Sequence, residues 1–214
     1  MLPRTVTVGP LASPNAANIA GSQTPGAAGN LTLTAGAIAG TTPDTPRRVL
    51  LTTNADESAK TFTFYGTDWN NNPVSETMTG PNSSTGYTVY DYKTITRIAV
   101  SAATTAAITV GTNQIASSMP IMLDNWAPAP TSIQVTVAGT VNYTVQQTLD
   151  DLNRITGGYV NATWVNHPDS ALVAATATAQ GNYAYVPQFV RVTLNTETAG
   201  AGNSITMTVI QADA

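Results

Sequence analysis

Apolar and polar residues alternate along several short stretches of this chain, with the spacing of β-strands. The clearest stretches are 61–64, 133–137, 190–194 and 205–209. Successive side chains of a strand point to opposite faces, so Phe62 and Phe64 can share a core while the neighbouring threonines meet water. The pattern predicts antiparallel strands with one buried face.

The stretch 60–79 predicts a β-hairpin, with two extended segments on either side of a polar turn. The turn is formed by Asp68, Asn70, Asn71 and Asn72. Asp and Asn tolerate left-handed backbone angles and hydrogen-bond their own backbone. Pro73 has no N–H to donate and suits the first residue of the returning strand.

Short strands separated by turn residues, at intervals of about a dozen residues, are typical of β-sandwiches. A chain of 214 residues can form one large β domain or two small ones. We predict an all-β fold with two antiparallel, jelly-roll-like sandwich units. Their predicted bounds are an extended arm over 1–46, a first sandwich over 47–117, a connector over 118–130 and a second sandwich over 131–214. Alternation also slips between Ile95 and Ile98, which predicts a β-bulge near Arg97.

The arm contains mostly Ala, Gly, Pro, Ser, Thr and Asn, which cannot bury enough apolar area to fold alone. Leu31 and Leu33 alternate as in a strand, and with Ile38 they are its predicted anchors. We expect an arm that pairs with the sheet edge of a neighbour and is ordered only there. The alternative is a disordered tail.

The predicted connector is rich in proline, and it is more apolar than a solvated linker. Its apolar side chains include Met119, Ile121, Met122 and Trp126. We expect them to lie across the junction of the two sandwiches or to cover a sheet edge.

Charge is scarce: 8 Lys and Arg stand against 12 Asp and Glu, only 9% of residues, with a net charge of −4. Nucleic-acid binding requires a basic surface, so no nucleic-acid partner is predicted. The chain has no cysteine, which excludes disulfides and thiolate metal sites. No secretory signal or membrane-length apolar run is recognisable, so we expect synthesis in a cytoplasm and no membrane partner.

The candidates for chemistry have simpler structural explanations, and no enzymatic activity is predicted. His167 is the only histidine, no Gly-x-Ser-x-Gly motif is present, and Asp169 lies in the same loop. Asp150 and Asp151 are adjacent, and adjacent strand residues face opposite ways.

The spacing Asp68-x-Asn70-x-Asn72 opens like a calcium loop. However, Pro73 occupies the place of the required glycine and Thr79 that of the bidentate glutamate. We therefore predict no metal or other cofactor.

Aromatic residues offer a candidate recognition surface, since such rings can bind sugars. The candidates are Tyr87, Tyr90, Tyr92, Trp126, Tyr183 and Tyr185. Trp69, at the tip of the predicted hairpin, is a further candidate for surface recognition.

Three groups of motifs, in this order, resemble a group of tailed-bacteriophage virion structural proteins. The first comprises 18–25 and 30–33; the second comprises 62–80, 94–98 and 108–112; the third comprises 134–146, Asp150-Asp151 and 164–168. The resemblance spans most of the chain and implies a β-sandwich protein of the capsid decoration or cement type. It carries over no catalytic residues.

On this basis we expect a virion protein on the capsid surface, made in the host cytoplasm. The expected partners are the major capsid protein and further copies of the chain, as a homotrimer. The alternative is a tail or head-fibre component with a receptor- or glycan-binding role.

Overall fold

The structure is a computed structural model that describes residues 3–34, 46–125, 130–155, 159, 161–198 and 202–211. Within these residues, regular structure consists of β-strands and short 3-10 turns, and the strand pairs of known register are antiparallel. This confirms the predicted all-β, sandwich-like fold class.

The chain divides into two compact units at positions other than those predicted. Unit 1 contains Met1–Leu11 and Ile115–Ala214, and unit 2 is Ala12–Gln114. Unit 2 is thus inserted into the sequence of unit 1, and the chain returns to unit 1 within a single strand, Ile108–Ser117.

The strands of unit 2, in chain order, are β2 (Asn15–Gln23), β3 (Gly29–Asn30), β4 (Arg47–Thr53), β5 (Thr61–Thr67), β6 (Pro73–Thr79), β7 (Thr85–Tyr92), β8 (Thr94–Val100) and most of β9 (Ile108–Ser117). Those of unit 1 are β1 (Arg4–Val8), the end of β9, β10 (Ile121–Met122), β11 (Thr131–Ala138), β12 (Val141–Thr148), β13 (Val165–Asn166), β14 (Ala179–Tyr183), β15 (Phe189–Glu197) and β16 (Ser204–Gln211).

Unit 1 buries one apolar core between two layers of strands. One layer is a four-stranded sheet in the order β1-β16-β11-β14. The other contains β13, β12 and β15 in that order, with β10 and the end of β9 paired to β15. Val135 and Met207 from the first layer and Val145 and Val192 from the second are fully buried in the same cluster. The alternate apolar side chains of β11, β15 and β16 therefore face one core between two sheets, as in a sandwich.

In unit 2 the predicted hairpin forms between β5 and β6, and β8 and β3 extend this sheet. The Asp68 carboxylate closes the turn by accepting from the backbone N–H groups of Asn70 at 2.8 Å and Asn72 at 2.9 Å. Asn71 takes the left-handed conformation, with φ of 64°. The predicted bulge is also present, because the register of β5 with β8 shifts between Arg97 and Ile95.

The N-terminal segment differs most from expectation. β1 pairs with β16 and β2 with β9, so the described part of the predicted arm belongs to the sheets of its own chain. Val8 and Ile19 are fully buried, because these sparse apolar residues complete the two cores. β2 passes close to Gly111, where a Cβ atom would lie 1.9 Å from the Asn15 carbonyl oxygen.

The region around residue 170 differs from what its sequence pattern suggests. The apolar stretch 171–174 suggests a weak strand, but Ser170–Leu172 forms a 3-10 turn whose N-cap is Asp169. The nearby strand is β14, which contains no β-branched residue. Gly181 in β14 allows this turn to pack closely, since a Cβ there would lie 2.6 Å from Leu172.

Candidate functional site

Two of the predicted anchors of the arm, Leu31 and Leu33, lie inside unit 2. Leu31 is buried, and its N–H donates to the carbonyl of Ile98 at 2.8 Å. Leu33 is half-buried. The Gln23 amide holds both backbone groups of Thr32, at 2.9 Å each. Ile38, the third predicted anchor, lies outside the described residues.

Ile121 and Met122 of the predicted connector form β10, which pairs with β15. Ile121 pairs with Val190 and is buried, whereas Met119 and Met122 are 45% and 46% exposed. Trp126, the remaining connector residue, is outside the described residues.

Four exposed apolar or aromatic side chains lie near the start of β15 in sequence or register, and we call them the apolar patch: Met119, Met122, Leu149 and Tyr185. Met122 and Thr148 are the register partners of Phe189 on its two sides, so Leu149 follows directly beside this strand end. Leu149 is 80% exposed, and Tyr185, in the loop that leads into β15, is 89% exposed. Exposed apolar side chains gathered at one place are typical of interaction surfaces.

Of the predicted recognition aromatics, few present a ring to solvent. Besides Tyr185 of the apolar patch, Tyr87 is 48% exposed on β7. Trp69 is half-buried at the hairpin turn. Tyr90, Tyr92 and Tyr183 are buried in the cores.

His167 has the contacts of a loop corner. It is buried, and its Nδ1 accepts from the backbone N–H of Asp169 at 3.0 Å. Burial holds the pKa of His167 below its ordinary value. Asp150 and Asp151, the adjacent acidic residues, also hold nearby backbone. Asp150 accepts from the N–H of Thr163, and Asp151 accepts from the N–H of Asn153.

The calcium-like spacing is used by the hairpin turn itself. Both Asp68 oxygens accept hydrogen bonds from within the turn. The Lys93 ammonium donates to the Asn71 side-chain oxygen at 2.8 Å and so adds a further contact to the turn. In the described ranges, no three His, Cys, Asp or Glu side chains are grouped to hold a metal. A helix long and apolar enough to cross a membrane is likewise not found in the part of the chain that the structure describes.

Sequence reasoning missed a buried arginine in unit 1. The Arg191 guanidinium lies 4.0 Å from the ring centre of Trp164 and 4.9 Å from that of Tyr159. Its Nε and Nη2 donate to the Gln146 side-chain oxygen at 3.0 and 2.7 Å. This arrangement holds Tyr159 and Trp164 on the outside of β12 and β15. An isolated arginine between two valines in 190–192 was its only sequence signal.

Threonine pairs cover the outer sheet faces, which explains much of the unusual composition. Hydroxyls face each other across strands between Thr5 and Thr208 at 3.2 Å, and between Thr63 and Thr77 at 2.8 Å. Such pairs stabilise neighbouring strands without charge.

A groove crosses the outer face of the sheet β1-β16-β11-β14. It has a volume of about 480 Å³ and includes Gln134, Gln180 and Asn182 in its lining. The uncharged polar residues at alternate positions of β11 and β16 were its sequence signal.

Comparison of the chain with family models, with curated proteins and with solved structures returned no significant match.

Proposed function

We propose that this chain is a virion structural protein of the capsid decoration or cement type. In this role it binds the outer capsid surface and stabilises the particle through contacts between subunits. Its partners are the major capsid protein and further copies of itself, as a homotrimer. The resemblance of its ordered motifs to tailed-bacteriophage structural proteins supports this proposal.

The apolar patch is the observation that carries the proposal within the structure. Met122 and Leu149 expose 46% and 80% of their surface beside the same strand end. Burying such side chains against another subunit removes apolar area from water, which contributes about 25 cal/mol per Å². A cement protein needs contact area of this kind and no chemistry of its own.

Copy number tests the proposal directly. Quantitative mass spectrometry of purified virions should find this chain in hundreds of copies per particle. A handful of copies would indicate a location at the tail vertex and contradict the cement role.

A second test uses the apolar patch itself. Met122→Glu should weaken attachment to particles that lack the protein, while Tyr87→Glu, on an exposed residue of unit 2, should attach normally. The two variants should have equal melting temperatures, because both side chains are partly exposed. Undiminished attachment of the Met122 variant would remove this surface from the proposal.

The alternative role is that of a tail or head-fibre component with receptor- or glycan-binding function. Tyr87, 48% exposed, and the half-buried Trp69 are the ring-bearing residues of unit 2 that favour it. Loss of host-cell binding in Trp69→Ala, together with a low copy number, would support this role in place of the first.

A further inference from the structure

We propose that the groove on the outer face of the sheet β1-β16-β11-β14 is a binding site for an uncharged oligosaccharide. The inference stands apart from the capsid role, and neither depends on the other.

Strand register places the groove's side chains in two rows across the sheet. Asn182, Ser132 and Ile210 form one row. Gln180, Gln134 and Thr208 form the next. Side chains two residues apart along a strand share a face, so both rows project from the side opposite the buried core. The resulting surface presents amides and hydroxyls at strand spacing, over an area suited to a sugar chain.

The amides in the groove are oriented but keep capacity for a ligand. The Gln180 Nε2 donates to the Gln134 Oε1 at 3.3 Å, and the Gln134 Nε2 donates to the Thr136 hydroxyl at 3.3 Å. A side-chain amide has two N–H donors and an oxygen that can accept twice. Each glutamine is therefore oriented by some of its hydrogen bonds, and its remaining donors and acceptors can bind sugar hydroxyls.

The charge of the groove selects the class of ligand. Among the described residues of these four strands, none that projects from the outer face is charged, and Asp169 supplies the one carboxylate in the lining. A polyanion such as nucleic acid or a sulfated glycan needs cations to bind. Protein interfaces are enriched in aromatic residues, Met and Arg, none of which line this groove. Neutral hydroxyls match the amides, and Asp169 offers them a strong acceptor.

Ile210 gives the groove the apolar contact that sugars also require. It is 46% exposed and stands beside Ser132 in the register of β16 with β11. A pyranose ring has an apolar face of C–H groups as well as its hydroxyls, and Ile210 can cover that face. The groove volume of about 480 Å³ is that of a small-ligand site.

The test is a binding assay with a panel of neutral hexasaccharides of glucose, galactose, mannose and N-acetylglucosamine, and with polygalacturonate as the charged comparison. We expect at least one neutral hexasaccharide to bind the full chain, with little change in affinity between about 50 and 200 mM salt. Gln134→Ala combined with Gln180→Ala should weaken this binding by about tenfold or more. Ser132→Trp, which fills the groove without removing an amide, should abolish it.

Two controls keep the outcomes distinct. Ser75→Ala, at an exposed position of β6 in unit 2, should bind the sugar as the unaltered chain does. Circular dichroism and melting temperature should show that the groove variants remain folded, since the altered side chains are exposed.

The proposal is overturned if no neutral hexasaccharide binds, if only polygalacturonate binds, or if the groove variants bind unchanged. It is also overturned if Ser132→Trp alters the oligomeric state in light scattering, because the face would then be a contact between copies. The copy number of the chain in virions is measured separately, so either result leaves the capsid proposal to its own test.

Discussion

The imidazole of His167 lies against the phenol ring of Tyr183, with ring centroids 4.5 Å apart and planes inclined by 49°. This contact joins the loop after β13 to the end of β14. Burial lowers the pKa of His167, because the charged imidazolium would lose its hydration there. Burial also raises the pKa of Tyr183 well above its usual range. Both rings are therefore held in their neutral forms at neutral pH.

The first prediction concerns the dependence of folding stability on pH, which the burial of His167 should affect. The pKa of His167 is lower in the folded than in the unfolded state, so the unfolded chain takes up the proton first. Stability should fall as the pH drops from about 6.5 toward the folded-state pKa, by at most about 1.4 kcal/mol per pH unit. Denaturant unfolding of the unaltered chain and of His167→Gln measures the difference. The variant keeps every carboxyl group, so equal pH dependence in the two proteins would contradict the prediction.

The second prediction concerns Arg191. Its planar guanidinium stacks on Trp164 and donates twice to Gln146. Lysine cannot reproduce the fork or the stacking, so Arg191→Lys should destabilise unit 1 by about 1–2 kcal/mol. Urea denaturation followed by tryptophan fluorescence measures this change. Arg154→Lys is the control, since the Arg154 side chain is 88% exposed and its ion pair with Asp151 contributes little. Equal stability of the two variants would count against a structural role for the stacked arginine.

The third prediction concerns Gly111, which allows β2 to approach β9. A Cβ atom there would meet the Asn15 carbonyl oxygen at 1.9 Å, which is a backbone atom that must move. Gly111→Ala should therefore destabilise unit 2 by about 1–3 kcal/mol or more and expose the N-terminal segment to protease. Gly21→Ala lies in β2 itself, and its added Cβ would meet nothing within 4 Å, so it should change stability by less than about 0.5 kcal/mol. Equal protease resistance of the two variants would mean that β2 does not lie against Gly111.

The fourth prediction separates an independent arm from an integral segment. The composition of the first residues predicts that removing 1–29 leaves the folded units unaffected, whereas the structure predicts a clear fall in melting temperature. The deletion removes β1 and β2, including Val8 and Ile19, which are both fully buried. Each such side chain contributes about 1.5–3 kcal/mol by burial. An unchanged melting temperature in scanning calorimetry would instead support an arm that does not contribute to the stability of the folded units.

Two point variants divide that effect between the units. Val8→Ala should destabilise unit 1 by about 1–3 kcal/mol, and Ile19→Ala, which removes a larger side chain, should destabilise unit 2 by about 2–5 kcal/mol. Thr5→Ala, at an exposed position of the same strand as Val8, is the matched control and should cost less than about 1 kcal/mol. If Val8→Ala were as mild as Thr5→Ala, β1 would not belong to the core of unit 1.

Sequence alone predicted the elements whose pattern is local. Phe62 and Phe64 are buried as their alternation requires, and Asp68 forms the turn expected of it. The bulge near Arg97 could be predicted because Ile95 and Ile98, three residues apart, would face opposite sides of a regular strand. The register shift between β5 and β8 interrupts the strand there. In each case the neighbouring residues contain the information.

Other features depend on partners that are distant in sequence. β14 was missed because Gln180, Gly181 and Asn182 have poor strand propensity, and the strand forms through pairing with β11. β1 resembles part of a loose arm until its partner β16, at the other end of the chain, is known. The groove escaped notice for the same reason, since its two rows are assembled from three strands that only the register brings together.

The pairing of β1 with β16 also sets an order of events during translation. The ribosome releases Arg4–Val8 long before its partner Ser204–Gln211. Unit 2 is complete in sequence at Gln114 and can close while Ile115 and the remaining residues of unit 1 are still being made. Protease treatment of ribosome-stalled chains should therefore protect residues 12–114 well before the rest. Until Ser204–Gln211 has been made, Val6 and Val8 have no strand to pair with, so the nascent chain carries an unpaired apolar strand while the residues between β1 and β16 are synthesised.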